Sequence, residues 1–86
     1  MPESNAIDLV VVVNGEPVTV SGNLEAPLRT IVPEALRLSN NSAQPPENWE
    51  LRDENGKLLD LGEKIEDLPR GTKLFLNLKA GVGGAA

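Results

Sequence analysis

The first apolar run of the chain is typical of a β-hairpin. Residues 7–13, IDLVVVV, are mostly β-branched and precede Asn14-Gly15, a dipeptide that favours a two-residue type I′ turn because both residues tolerate a positive φ. A second strand, PVTVSG, follows. Pro17 has no backbone N–H to donate, so we expect this strand to begin there or to lie at a sheet edge.

The next segment carries the spacing of one apolar helix face. Positions i, i+3, i+4, i+7 and i+8 hold Leu28, Ile31, Val32, Ala35 and Leu36. Pro33 would disrupt a helix interior but is tolerated in the first turn. We therefore expect the regular helix to begin near Thr30, acting as N-cap, and to close at Asn40 or Asn41 in the left-handed conformation.

The second half of the chain predicts further strands and one short helical turn. The segments WELRD and LLDL flank ENGK, whose Asn55-Gly56 is a second hairpin signal of the same kind. EKIEDLP is expected to form one helical turn, and Gly71 to lead into a last strand, KLFLNL. Alternation places Leu74, Leu76 and Leu78 on one face of this strand, and Phe75 and Asn77 on the other.

The composition allows one domain with an aliphatic core. The 86 residues are 40% apolar but include one Trp, one Phe and no Tyr. One twisted sheet of about four to five strands packed on one helix, an α+β roll, is the economical two-layer arrangement at this length. Trp49 shares a face with Leu51, which predicts that it packs in the core.

Several functions are disfavoured by the residue types that are absent. The chain has no Cys and no His, which removes thiol nucleophiles, zinc–thiolate sites and the usual general base near neutral pH. We therefore predict a protein that is not an enzyme and has no cofactor or metal of its own. Any Ser or Thr nucleophile would need a base that forms no recognisable motif here.

The charge argues against nucleic acid and anionic membranes as partners. The net charge is −5, whereas such surfaces require clustered Lys and Arg. The longest apolar run, Leu9 to Val13, and the acidic start of the chain do not resemble a signal peptide. We predict a cytoplasmic protein that is monomeric when free and has basic partners.

These features together resemble a ubiquitin-like β-grasp protein over nearly the whole chain after residue 6. The resemblance rests on the first hairpin, the single helix, the stretch QPPENWELRDENGKLLDLGEKIEDL, and a final strand that runs into GVGG. It implies a disordered segment over residues 1–6, a β-grasp domain over 7–78 whose sheet of four to five strands is mixed, and a flexible tail over 79–86.

More narrowly, the chain resembles the bacterial ubiquitin-like modifiers that are encoded beside activating-enzyme, conjugating-enzyme and deubiquitinase-like peptidase genes. In those proteins a peptidase exposes the C-terminal Gly-Gly, whose carboxylate is adenylated with ATP and passed to a target. The resemblance implies that Gly84 is the conjugation site, that Ala85-Ala86 is removed, and that ATP and Mg are used by the activating enzyme. It also points to antiviral defence as a setting. The residues implied in tail recognition and processing are Gly81, Val82, Gly83, Gly84, Ala85 and Ala86.

Departures from ubiquitin affect the expected partners. Ubiquitin carries arginines before its glycines, whereas KAGVGG has only Lys79, so recognition by the activating enzyme is expected to use other contacts. A candidate docking face consists of Val10, Val12, Arg52, Phe75 and Asn77. Two of these are polar where ubiquitin shows apolar residues, so readers of the ubiquitin patch are not expected to bind. The alternative is a few singly exposed apolar side chains without a role.

Two other functions share this fold and tail. One is a sulfur carrier of the thiamin or molybdopterin type, with a C-terminal thiocarboxylate; such carriers usually finish at the second glycine, which favours the modifier. The other is a noncovalent interaction domain whose tail is inert, since chain ends are commonly disordered.

Overall fold

Four strands form a mixed sheet in the computed structural model, which describes residues 5–81. The strands are β1 (Ala6–Val13), β2 (Glu16–Asn23), β3 (Trp49–Arg52) and β4 (Leu74–Leu78), in the spatial order β2-β1-β4-β3. The two outer pairings are antiparallel, and the central β1–β4 pair is parallel. One helix packs on one face, which confirms the predicted α+β β-grasp architecture.

The first hairpin has the predicted turn. Asn14 and Gly15 have φ angles of 50° and 87°, the signs that a type I′ turn requires at both central positions. Pro17 lies in β2 at the sheet edge, as predicted, where its missing N–H removes no ladder hydrogen bond. The strand begins at Ala6, one residue before the predicted start of the domain.

The helical segment begins differently from the prediction. A 3₁₀ turn over Leu28–Ile31 leads directly into α1 (Val32–Leu38), and no side chain caps the first turn of α1. Thr30 is therefore not the N-cap. Because the backbone already turns from Leu28, the Thr30 hydroxyl lies near the preceding turn and donates to the Pro27 carbonyl oxygen at 2.7 Å.

The rest of the helix agrees with the sequence. Pro33 occupies the first turn of α1. Asn40 has a φ of 62°, and its N–H donates to the carbonyl of Arg37 at 3.2 Å, while the Asn41 N–H donates to Leu36 at 2.7 Å. These two bonds form a Schellman motif, so Asn40 is the left-handed residue that ends the helix.

The second predicted hairpin forms only as a short pairing: the Asp53 N–H donates to the Lys57 carbonyl at 3.0 Å, and the Leu59 N–H donates to the Leu51 carbonyl at 2.9 Å. Only Gly56 of the Asn55-Gly56 pair has a positive φ, and its N–H donates to the Asp53 carbonyl at 3.0 Å. The LLDL segment makes a single bridge, between Leu58 and Arg52, and none of the strands described in residues 5–81 includes it. The Asp53 carboxylate accepts the Asn55 N–H at 2.8 Å, which stabilises the local turn between the two briefly paired segments.

The segment after this turn is tied to the approach of the helix. The predicted helical turn is present as a 3₁₀ turn over Ile65–Asp67. The Ile65 N–H donates to the backbone carbonyl of Ala26 at 3.0 Å, and the Leu28 N–H donates to the backbone carbonyl of Glu63 at 2.8 Å. Gly71 has a φ of 82° and precedes β4, as predicted.

The core is aliphatic and lies between the sheet and the helical segments. Trp49 is 1% exposed, which confirms its predicted place in the core, although its Nε1–H has no hydrogen-bond partner among the described residues. The buried core residues are Leu9, Val11, Val13, Val20, Leu28, Ile31, Val32, Ala35, Leu36, Trp49, Leu51, Ile65, Leu74 and Leu76.

Candidate functional site

The root of the tail is attached to the middle of the sheet. Strand β4 lies between β1 and β3 and ends at Leu78. One further hydrogen bond, from the Lys79 N–H to the Asn48 carbonyl at 2.8 Å, continues the pairing with the β3 side. The next residues leave the sheet, and Gly81 is exposed with a φ of 88°. The predicted tail residues Val82, Gly83, Gly84, Ala85 and Ala86 lie outside the described residues.

The predicted docking residues share the sheet face opposite α1. The pairing register sets Pro17 beside Val12, Val12 beside Phe75, and Phe75 beside Arg52, so these four residues form one row across all four strands. Val10 is on the same face of β1 and is 39% exposed. Val12 and Phe75 are half-buried by their neighbours. We call the surface formed by this row together with Val10 and Asn77 the outer face.

The polar members of the outer face differ in how freely they present their side chains. The Arg52 guanidinium donates to Glu50 Oε2 from Nε at 3.1 Å and to the Gly56 carbonyl from Nη1 at 2.8 Å. Arg52 is therefore oriented and partly neutralised by Glu50. Asn77 is exposed and lies opposite Glu50 in the register. Sequence reasoning missed Glu50, because its contact with Arg52 depends on side-chain conformations on β3.

An exposed leucine is a second feature that the sequence prediction missed. Leu58 is 54% exposed, more than Val10 or Leu38, the other exposed large apolar residues described. The signal was the pair Leu58-Leu59, because consecutive residues of an extended segment point to opposite sides. Leu59 is half-buried and packs against the core, which leaves Leu58 directed outward.

Charged groups on α1 lie away from the outer face. A hydrogen bond from Arg37 holds the pKa of the Glu34 carboxyl below its ordinary value, and both side chains are exposed. No cluster of three or more potential metal ligands occurs within residues 5–81. The helices described there are too short or too polar to span a membrane.

Comparison with known proteins assigns the chain to a family. It belongs to the family described as Protein of Unknown function (DUF2604), whose profile matches residues 2–84. It is 51% identical over 82 residues to the uncharacterized protein y4jI of Sinorhizobium fredii (strain NBRC 101917 / NGR234). The match covers 92% of this chain and 62% of that protein, so the chain spans less than two thirds of the relative's length.

The fold is also found in a solved structure. The N-terminal ubiquitin-like domain in the 4931431F19Rik protein, determined in solution, superposes with a TM-score of 0.70 at 12% identity. The match covers 100% of this chain and 88% of that chain. At this identity the likeness concerns the fold alone, and it shows that the protein has a ubiquitin-like β-grasp fold.

Proposed function

We propose that this protein is the precursor of a ubiquitin-like modifier that is cleaved after Gly84 and joined to target proteins through the Gly84 carboxylate. The observation that carries the proposal is the end of β4. This central strand of a β-grasp sheet ends at Leu78 and leads within a few residues into GVGG. The family match also extends to Gly84.

The tail has the composition that such chemistry requires. An enzyme that reaches a terminal carbonyl through a narrow channel needs residues without a Cβ near the reacting atom, and Gly83 and Gly84 meet this need. The Gly84 carboxylate would attack the α-phosphate of ATP, and pyrophosphate would leave. A nucleophile of the enzyme would then displace AMP, and a nucleophilic group of the target would accept the glycyl group.

All catalytic groups come from partners in this proposal. A deubiquitinase-like peptidase removes Ala85-Ala86 and anything that follows them, an activating enzyme supplies ATP and Mg, and a conjugating enzyme transfers the glycyl group. The outer face is a docking surface for one of these proteins. The net charge of −5 favours partners with basic surfaces, and we place the process in the cytoplasm.

The test is to express an N-terminally tagged full chain in the organism that encodes it, with Gly84→Val and Ala86→Val as variants. Intact masses and C-terminal peptides are then determined for the free and the linked forms. We expect wild-type chains that end at Gly84, some of them attached to other proteins. The Ala86→Val variant should be cleaved after Gly84 and attached to other proteins in the same way. Gly84→Val should form no adducts and should retain the wild-type circular dichroism spectrum.

The same measurement separates the alternatives. A sulfur-for-oxygen mass change at Gly84 without protein adducts would identify a sulfur carrier. Wild-type chains that retain Ala85-Ala86 and form no adducts would contradict the modifier and favour a noncovalent interaction domain. A chain truncated after Leu78 that still complements a deletion would support that domain further.

A further inference from the structure

A groove lies at the edge of β3 beside its short pairing with the LLDL segment, next to the point where the tail leaves the sheet. Its volume is about 310 Å³, and we call it the edge groove. Lys79, whose N–H is bonded to the Asn48 carbonyl just before β3, is part of its lining. The apolar lining consists of the exposed Leu58, the half-buried Leu59 and Leu61, and the buried Trp49 and Leu51.

The edge groove exists because the LLDL segment turns away from β3. The Leu59 N–H donates to the Leu51 carbonyl at 2.9 Å. The chain then turns at Asp60, whose carboxylate accepts the Gly62 N–H at 2.8 Å. A continued strand would have covered the β3 edge. The early turn instead leaves an apolar recess beside the exposed side chain of Leu58.

The charges in the edge groove differ in their partners. Glu50 Oε2 forms an ion pair with Arg52 Nη2 at 3.0 Å, and the Asp60 carboxylate accepts the Gly62 N–H within its own turn. The Lys79 ammonium makes no ion pair with any residue in the range 5–81. The groove therefore presents an apolar surface, the Asp60 carboxylate and, at Lys79, a cation that is free to pair with a carboxylate of a partner.

We propose that the edge groove is the docking site of the activating enzyme, which inserts an apolar side chain beside Leu58 and sets a carboxylate opposite Lys79. This inference rests on the proposed function. Gly84 is five residues beyond Lys79, and five residues of polypeptide span at most about 18 Å. An active site that holds Gly84 is thus within reach of the groove.

The composition of the tail explains why the activating enzyme needs such a contact. The stretch from Ala80 to Gly84 contains one side chain larger than a methyl group, that of Val82. So small a tail gives an enzyme little area for distinguishing it from other chains that end in glycine. The nearest apolar recess at the tail root supplies the missing recognition, and the outer face remains open to another partner.

The test compares matched variants of the full tagged chain in the native organism. Leu58→Ser changes the edge groove, and Leu38→Ser changes a leucine of similar exposure on α1. Lys79→Glu reverses the charge at the tail root, and Lys73→Glu reverses one just before the opposite end of β4. We expect Leu58→Ser and Lys79→Glu to end at Gly84 but to form roughly tenfold fewer conjugates, as for loss of an interface hot spot. The two controls should conjugate normally.

Other outcomes separate this inference from the proposed function. If the wild type forms conjugates and both groove variants do so equally well, the docking site is wrong and the modifier function stands. Groove variants that remain uncleaved after Gly84 would overturn the assignment by showing that the groove serves the peptidase. A wild type without conjugates would refute the modifier function and the docking site together. Thermal melts of all variants check that each is folded.

Discussion

Gly22 of β2 lies directly against Ile65 of the last 3₁₀ turn. A Cβ placed on Gly22 would be 2.9 Å from Ile65 Cδ1 and 3.0 Å from Leu9 Cδ1, closer than side-chain atoms pack without adjustment. The absence of a side chain at position 22 therefore lets the 3₁₀ turn close over the edge of the sheet. Because the contacted atoms are the ends of flexible side chains, the neighbours can move in part.

We expect Gly22→Ala to lower the free energy of unfolding by about 1–3 kcal/mol, the usual effect of overpacking a core position. Urea denaturation followed by circular dichroism measures the change. Ser21→Ala, on the exposed neighbour in β2, is the control and should change stability little. An equal stability of Gly22→Ala and wild type would show that the packing here is looser than the structure indicates.

The left-handed conformation of Asn40 at the end of α1 predicts different effects on stability for substitution by Ala and by Gly. Asn40 has a φ of 62°, a conformation that Ala adopts at a cost of about 1–2 kcal/mol and that Gly adopts freely. Asn40→Ala should destabilise the protein by about 1 kcal/mol, whereas Asn40→Gly should be neutral or slightly stabilising. Equilibrium unfolding of the two variants tests this, and equal destabilisation by Ala and Gly would indicate that the Asn side chain matters instead.

Trp49 is both a core residue and the single tryptophan of the chain. Its fluorescence should shift to longer wavelength on unfolding, and it provides an intrinsic probe of stability.

We expect Trp49→Ala to lower the free energy of unfolding by about 3–5 kcal/mol because of the cavity that it leaves. Trp49→Phe should cost clearly less, because it keeps an aromatic ring and removes a buried N–H without a partner among the described residues. Similar losses for both variants, measured by calorimetry, would contradict this ranking.

The Glu34–Arg37 pair predicts a pH-dependent contribution to stability. In the folded state, the hydrogen bond from Arg37 lowers the pKa of the Glu34 carboxyl below its ordinary value of 4.5. The contribution is therefore fully present above the unfolded pKa and is lost as the pH falls through the lowered folded pKa. The melting temperature of Glu34→Gln should lie slightly below that of wild type at about pH 6 and approach it at about pH 3. A constant difference across this range would exclude the pair as its source.

The outer face can be tested with a pair of residues that are register partners. Val10 and Thr19 lie opposite each other on β1 and β2, and Val10 is 39% exposed. Val10→Ser should reduce binding of an outer-face partner, and thus conjugate formation, several-fold, with a loss of stability of less than about 1 kcal/mol. Thr19→Ser is the control and should conjugate normally. If both variants conjugate like wild type, Val10 is one of the exposed apolar residues that have no role.

Local residue chemistry was sufficient to predict the elements of this protein that depend on neighbours in sequence. Asn14-Gly15 determines the first turn because both residues accept a positive φ, and Pro17 indicates an edge strand because it lacks an N–H. The alternation from Leu74 to Leu78 assigns the two faces of β4 in the same way. The tail glycines, on which the proposed function depends, are likewise a property of the sequence alone.

Tertiary structure decided the features that depend on groups distant along the chain or on competition between local alternatives. Asn55-Gly56 carries the same turn signal as Asn14-Gly15, but Asp53 binds the turn backbone and only Gly56 takes a positive φ. The edge groove, the exposure of Leu58 and the close approach at Gly22 all follow from where the chain packs after this turn. Turn propensities act over a few residues, whereas the position of the LLDL segment depends on which contacts with β3 and the core stabilise the whole fold.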